Sequence, residues 1–370
     1  MAQGRKAVFD LLDGRASWPP VVVPFGVDPF GWHGEQESYR EVCEFALDHC
    51  TLFPKVYPFS ASLAIGAGDI AVELETHTGA DGSHYRKYKI VGSDWPLTME
   101  EVQTPGDSSW KISKRWIESD DDLVSFLELS PNITAPEPDI AAVREKERQV
   151  GEHGLPYIET PDPFYTVCEM FPTEDFFVRT LTDIDRVMEL IHSVNERMLY
   201  GIEKLCREAQ CPFILRLIGA EMAAPPFMSR EDFLRFESSF YRSVSEITCR
   251  HSVPAAFHCH GPVRDIMNDV WEMGYSFMEP FEPPPNGNVT IAEALLAANG
   301  RGIVFGGVDD VVINSRTPEE VRHAVNVCLN DARDTGAPYI VSQSSTPFSD
   351  PLSLESRDNY LLFMQIASQG

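Results

Sequence analysis

The stretch 253-VPAAFHCHGPVRDIMNDVWEMGYSFMEP-280 carries the fold in miniature. A short apolar run at 253–261 closes on His258, Cys259 and His260. An amphipathic segment follows over 263–273, and a second apolar run at 275–280 closes on Glu279. Run, helix, run is the pattern of a parallel βαβ unit. Parallel strands need a crossover between them, and strands buried on both faces read as continuous apolar stretches instead of alternating ones.

Working outward, the unit recurs. Toward the C-terminus stand GIVFGGVD (302–309) and PYIVSQSS (338–345); toward the N-terminus stand PFILRLIGAE (212–221), PYIETP (156–161), TLFPKVYPF (51–59) and PPVVVPFGV (19–27). Helical periodicity fills 37–50, 183–209, 230–251, 291–299, 318–334 and 354–368, with Ser229 and Thr317 placed to cap two of these segments. Eight strands alternating with helices predict an α/β protein built as a (β/α)8 TIM barrel, with a helical segment ahead of the first strand. A barrel of roughly 250 residues plus insertions accounts for a chain of 370 as one domain, 1–370. The segment ELETHTGADGSHYRKYKIVG (73–92) breaks the rhythm. It alternates like an antiparallel hairpin around Gly79-Ala80-Asp81-Gly82, so 70–116 reads as an insertion or flap. The acidic run 118–122 and the charged stretch 136–150 read as solvated faces.

A formal charge of -27 argues against nucleic acid and anionic membranes as partners. The charged, amphipathic start and the lack of an apolar run near 20 residues point to a cytoplasmic protein. Eight cysteines without a CxxC pair read as reduced thiols, mostly packing material.

In a (β/α)8 barrel the chemistry sits at the carboxyl ends of the strands. Those ends are polar here: Glu221 on the fourth strand, His258-Cys259-His260 on the fifth, Glu279 on the sixth, Asp309 on the seventh and Gln343 on the eighth. Side chains two apart on a strand share a face, so His258 and His260 point together while Cys259 turns away with Phe257. Two imidazoles with neighbouring carboxylates make Glu221, His258, His260 and Glu279 the candidate ligands of a divalent metal, zinc first. Asp309 and Gln343 are the candidate catalytic residues, available to position a substrate. Aromatic residues near strand ends, among them Phe25, Trp32, Tyr57 and Phe281, would line an apolar pocket.

Three segments carry a family resemblance: RKAVFDLLDGRASWPPVVV (5–23), the stretch 258–280 quoted above, and TPEEV (317–321) following GGVDD. Together they resemble the uroporphyrinogen decarboxylase superfamily and, within it, the corrinoid-dependent methyltransferases, over most of the chain. Two departures refine what this implies. Thiol-acting zinc members show His-x-Cys and a later Cys near strand eight, whereas His260 and SQSS (342–345) stand at those places here. The decarboxylases carry arginines after strand one, where this chain reads PFGVDPFGWHG (24–34). Harder ligands make a metal more Lewis acidic toward oxygen. The resemblance therefore implies a methyltransferase that moves methyl from a small O-methyl donor, such as a methoxylated aromatic, to the Co(I) corrinoid of a partner protein; a homodimer is compatible with it. The alternatives are transfer from a methyl-corrinoid to tetrahydrofolate or a thiol, a decarboxylase using Arg216, Arg264 or Arg316, and a non-catalytic partner of a corrinoid protein.

Overall fold

The structure, a computed structural model, describes residues 3–15, 18–59, 71–91, 97–105, 110–130, 133 and 135–369. They form two compact units: Met1–Pro58 with Asp139–Pro161 and Leu205–Gly370, and Phe59–Pro138 with Asp162–Lys204.

The first unit holds the barrel. Its eight strands are β1 (Val21–Val22), β2 (Lys55–Val56), β7 (Tyr157–Pro161), β8 (Ile214–Ile218), β9 (Ala255–His258), β10 (Phe277–Glu279), β11 (Ile303–Val308) and β12 (Tyr339–Gln343). They pair in parallel in the order β1-β12-β11-β10-β9-β8-β7-β2, with helices between them, which is the expected (β/α)8 arrangement. The first two strands are shorter than their apolar runs. Pro20 and Pro24 flank Val21–Val22, Pro54 and Pro58 flank Lys55–Val56, and proline has no N–H to give to a ladder. Thr51 N–H donates to Val22 O where the strands at the two ends of that order approach each other.

Inside the barrel the side chains alternate in layers. Val21, Phe53, Tyr157, Ile214, Ala256, Phe277, Phe305 and Ile340 belong to one buried apolar cluster, into which Ala7, Val8 and Leu11 of the N-terminal helix Arg5–Leu12 also pack. Two residues further along five of these strands stand Lys55, Glu159, Arg216, His258 and Glu279. The barrel thus has an apolar floor and, one layer up, a ring of charge. On the outward side of β9, Phe257 packs its ring against Phe233 and Tyr241 of the helix Arg230–Arg250.

The second unit carries an antiparallel sheet of four strands, β3 (Ala71–Thr78), β4 (His84–Val91), β5 (Thr98–Gln103) and β6 (Lys111–Lys114), in that order. The expected hairpin is its first half, with Thr78 opposite His84 and Gly79 N–H donating to Ser83 O across the turn; residues 70, 92–96 and 106–109 of the inserted segment lie outside the described residues. The acidic run 118–122 starts a helix, Asp120–Leu129, where Ser119 accepts from Asp122 N–H. Carboxylates there offset the unpaired amides of the first turn, which accounts for the run without a ligand. Among the described residues no helix is long and apolar enough to cross a membrane.

Candidate metal centre at the barrel mouth

Strand register assembles the site. β9 and β10 pair with His258 opposite Glu279, and β7 and β8 with Glu159 opposite Arg216, so four inward side chains from four strands meet at one height. Arg216 is their hub. Its guanidinium bonds Glu279 through Nε and Glu159 through a terminal nitrogen, while its other terminal nitrogen lies 2.7 Å from His258 Nδ1. Glu159 also takes Lys55 Nζ at 3.1 Å. Two cations and two carboxylates neutralise one another in a place where an isolated charge would be prohibitively costly.

The pairing sets the protonation states. Burial works against the charged form of Glu279, but Arg216 and the hydrogen bond with His258 overcome it and hold the carboxyl down to about 2. Burial likewise opposes the charge on Arg216, and Glu279 and Glu159 outweigh it, raising its pKa above the ordinary guanidinium value. Burial, helped by Arg216, lowers the pKa of His258 and favours its neutral ring.

Above this layer Glu221, His258 and His260 converge. Each offers one donor atom, and these atoms lie within 4.8 Å of one another. Glu221 sits on the turn Ala220–Met222 that follows β8, entered through Gly219 at φ 109, a conformation that L side chains rarely adopt. Its Oε1 accepts the His260 backbone N–H at 2.9 Å and lies 3.5 Å from His258 Nε2. His260 Nδ1 meets Glu282 Oε1 at 3.0 Å, and Glu282 Oε2 accepts Gly261 N–H. Burial opposes protonation of His260, but the Glu282 contact prevails and raises its pKa. His258 and His260 do meet, as strand alternation predicts. Cys259, almost fully buried, is not in the group; its Sγ lies 3.5 Å from the His260 carbonyl.

The donor set suits a metal. Two histidines and a glutamate are a familiar zinc combination with room for a further ligand. Each imidazole also has a carboxylate at Nδ1, Glu279 at 3.1 Å and Glu282 at 3.0 Å, the outer partner that metal-bound histidines usually carry. Glu221, His260 and Glu282 line a cavity of about 670 Å³ with Pro225, Pro226, Phe227, Pro262, Pro285 and the segment Asn286, Gly287, Asn288. The aromatic wall is Phe227; Phe25 and Phe281 are buried instead, and Tyr57 and Trp32 do not line this cavity.

Three residues take places other than those expected. Glu279 is not one of the converging three. Its carboxylate bonds Arg216 and lies 3.1 Å from His258 Nδ1, so it backs one of the three side chains. Gln343 clamps the barrel: its Oε1 accepts Phe25 N–H at 3.0 Å and its Nε2 donates to Phe25 O at 2.8 Å, doing for β1 what Pro24 denies to the ladder. Asp309 caps the helix Asp310–Ser315 through Val311 N–H, and its other oxygen accepts from Asn286 on the cavity wall. Gln343→Leu is therefore expected to cost about 2 kcal/mol or more by stranding a buried N–H and C=O; an unchanged urea midpoint would show that the clamp is dispensable.

Lys55, Glu159 and the hub role of Arg216 escaped sequence reasoning that looked only at strand ends. Stepping back by two along each strand, from Lys55 to Phe53, Glu159 to Tyr157 and Arg216 to Ile214, was the signal available. Gly306 was equally silent: a Cβ there would lie 1.8 Å from Pro280 O, so its lack of a side chain lets β11 seat the backbone just past Glu279.

No family model and no curated protein matches the chain. Among solved structures, a methyltransferase from Methanosarcina mazei shares 11% identity at a TM-score of 0.59, with 98% of this chain and 99% of that one covered. Two GH26 endo-β-1,4-mannanases, one ruminal and one from Bacillus sp. JAMB-750, superpose at a TM-score of 0.38, with 8% and 12% identity over 62% of this chain and 52% and 70% of theirs. At such identity the first likeness is one of fold, end to end.

Proposed function

We propose that the protein is a methyltransferase that takes a methyl group from a small O-methyl compound and delivers it to the Co(I) corrinoid of a partner protein, with Glu221, His258 and His260 holding a zinc ion. The observation that carries this reading is the trio itself, two imidazoles backed by carboxylates and one glutamate, opening on a cavity. The full-length likeness in fold to a methyltransferase supports the reaction class. Zinc bound there would supply Lewis acidity toward the ether oxygen.

The chain's own residues define the donor. Among the described lining residues the formally charged side chains are Glu221 and Glu282, and no lysine or arginine is present. Proline faces and Phe227 suit a flat apolar body, and the Asn286 and Asn288 amides offer hydrogen bonds to a neutral polar group. Of the three arginines open to a decarboxylase, Arg216 is engaged within the barrel and Arg264 with Glu293 and the Asn288 carbonyl, and Arg316 does not line this cavity.

The test is an anaerobic assay with a Co(I) corrinoid protein and methoxyphenol donors, run with zinc-loaded and with zinc-free protein. Methyl transfer is expected from the zinc-loaded protein and should fall at least about tenfold on removal of zinc, because the ether oxygen would lose its Lewis acid. Equal rates with and without zinc would remove the metal from the reading. Carbon dioxide release from a carboxylated substrate, with no methyl transfer, would overturn the reading.

A further inference from the structure

His258 Nδ1 faces two groups that make opposite demands. A guanidinium can only donate, so Arg216, at 2.7 Å, requires a bare Nδ1. A carboxylate can only accept, so Glu279, at 3.1 Å, requires a proton there. One nitrogen cannot satisfy both at once. Arg216 has the shorter contact, and Glu279 is already compensated by Arg216 Nε. The ring proton is then on Nε2, the nitrogen that looks toward Glu221 Oε1 at 3.5 Å. That is the nitrogen whose lone pair a metal in the trio would use.

We propose that Arg216 is a positioning residue that holds metal-free His258 as the Nε2–H tautomer, and that loading the trio moves the ring proton to Nδ1, where Glu279 accepts it. The inference rests on the metal centre proposed above and assigns a switch to its supporting layer. The bond given up is Arg216 to Nδ1 and the bond gained is Nδ1–H to Glu279. The ring stays neutral, so the step needs no net proton uptake at His258. Phe25 shields the exchange: its ring lies parallel to that of His258 at 6.5 Å and 4.9 Å from the Arg216 guanidinium carbon. Two strong partners on opposing terms give the site a resting state that resists metal, and a loaded state in which the carboxylate supports the ligand as in other metal-bound histidines.

The experiment uses full-length protein with ring-15N histidine, the His258 signals being assigned by their loss in His258→Gln. Metal-free protein should show Nε2 protonated and Nδ1 bare; after addition of zinc alone, Nδ1 should become the protonated nitrogen. Arg216→Lys, which keeps the charge but not the fork, should place the proton on Nδ1 before any zinc is added. A protonated Nδ1 in the metal-free wild type would overturn the proposal, and so would zinc bound with Nδ1 still bare. Failure of His258 to respond to zinc would overturn the switch and the zinc centre together, while the corrinoid assay would still report on methyl transfer. If Arg216→Lys fails to fold, the two wild-type spectra decide.

Discussion

Arg216→Ala is expected to lower stability by about 3–5 kcal/mol, the range found when one partner of a buried ion pair is removed and the other is left uncompensated. Glu279 and Glu159 would both lose their main counter-charge, and Glu279 is only 2% exposed to solvent. Urea unfolding measures the loss; a change below about 1 kcal/mol would mean that the layer is hydrated and that the two acids are solvated after all. Acid provides a second reading of the same variant. In the wild type the Glu279 carboxyl is held down to about 2, below its unfolded value near 4.3, so its contribution is complete above that value and disappears as the pH falls toward 2. Without Arg216 the buried carboxyl should titrate above 4.3, and acidification should then relieve the variant where it weakens the parent.

His260→Ala should abolish stoichiometric zinc binding and reduce turnover by more than the ~100-fold typical of losing an outer partner of a metal ligand, because a donor is removed directly. Cys259→Ser should retain the metal and cost about 1–2 kcal/mol for a buried hydroxyl that inherits the weak contact with the His260 carbonyl. Metal analysis and denaturation of the two variants separate these effects. Metal lost from the serine variant and kept by the alanine variant would mean that β9 presents its other face to the site.

The βαβ rhythm was legible because buried parallel strands leave unbroken apolar runs; all eight barrel strands fall within such runs, and six of the runs also close on a polar or proline residue. Strand alternation was enough to bring His258 and His260 together. It could not reveal depth. Glu221, on a turn beyond β8, and Glu279, on the ladder of β10, look alike as strand-end acids, yet one reaches the cavity and the other is a layer below it. The contacts of Gln343 with Phe25 were hidden for a related reason. A polar residue ending the last strand suggests chemistry, whereas the need here came from prolines more than 300 positions away that leave β1 short of ladder bonds. Arg216 stood out only as a cation that a decarboxylase could use; its role as a hub was hidden, because its two carboxylates arrive from other strands.

The Phe25 clamp has a consequence for the order in which the molecule is made. The ring over Arg216 and His258 directly follows the first barrel strand, but the amide that fixes its backbone belongs to the last. During synthesis both histidines, both buried acids and their arginine emerge from the ribosome before Gln343 does. The charged layer must therefore wait, partly uncovered, until the final strand is delivered, and the centre matures in a late step instead of strand by strand.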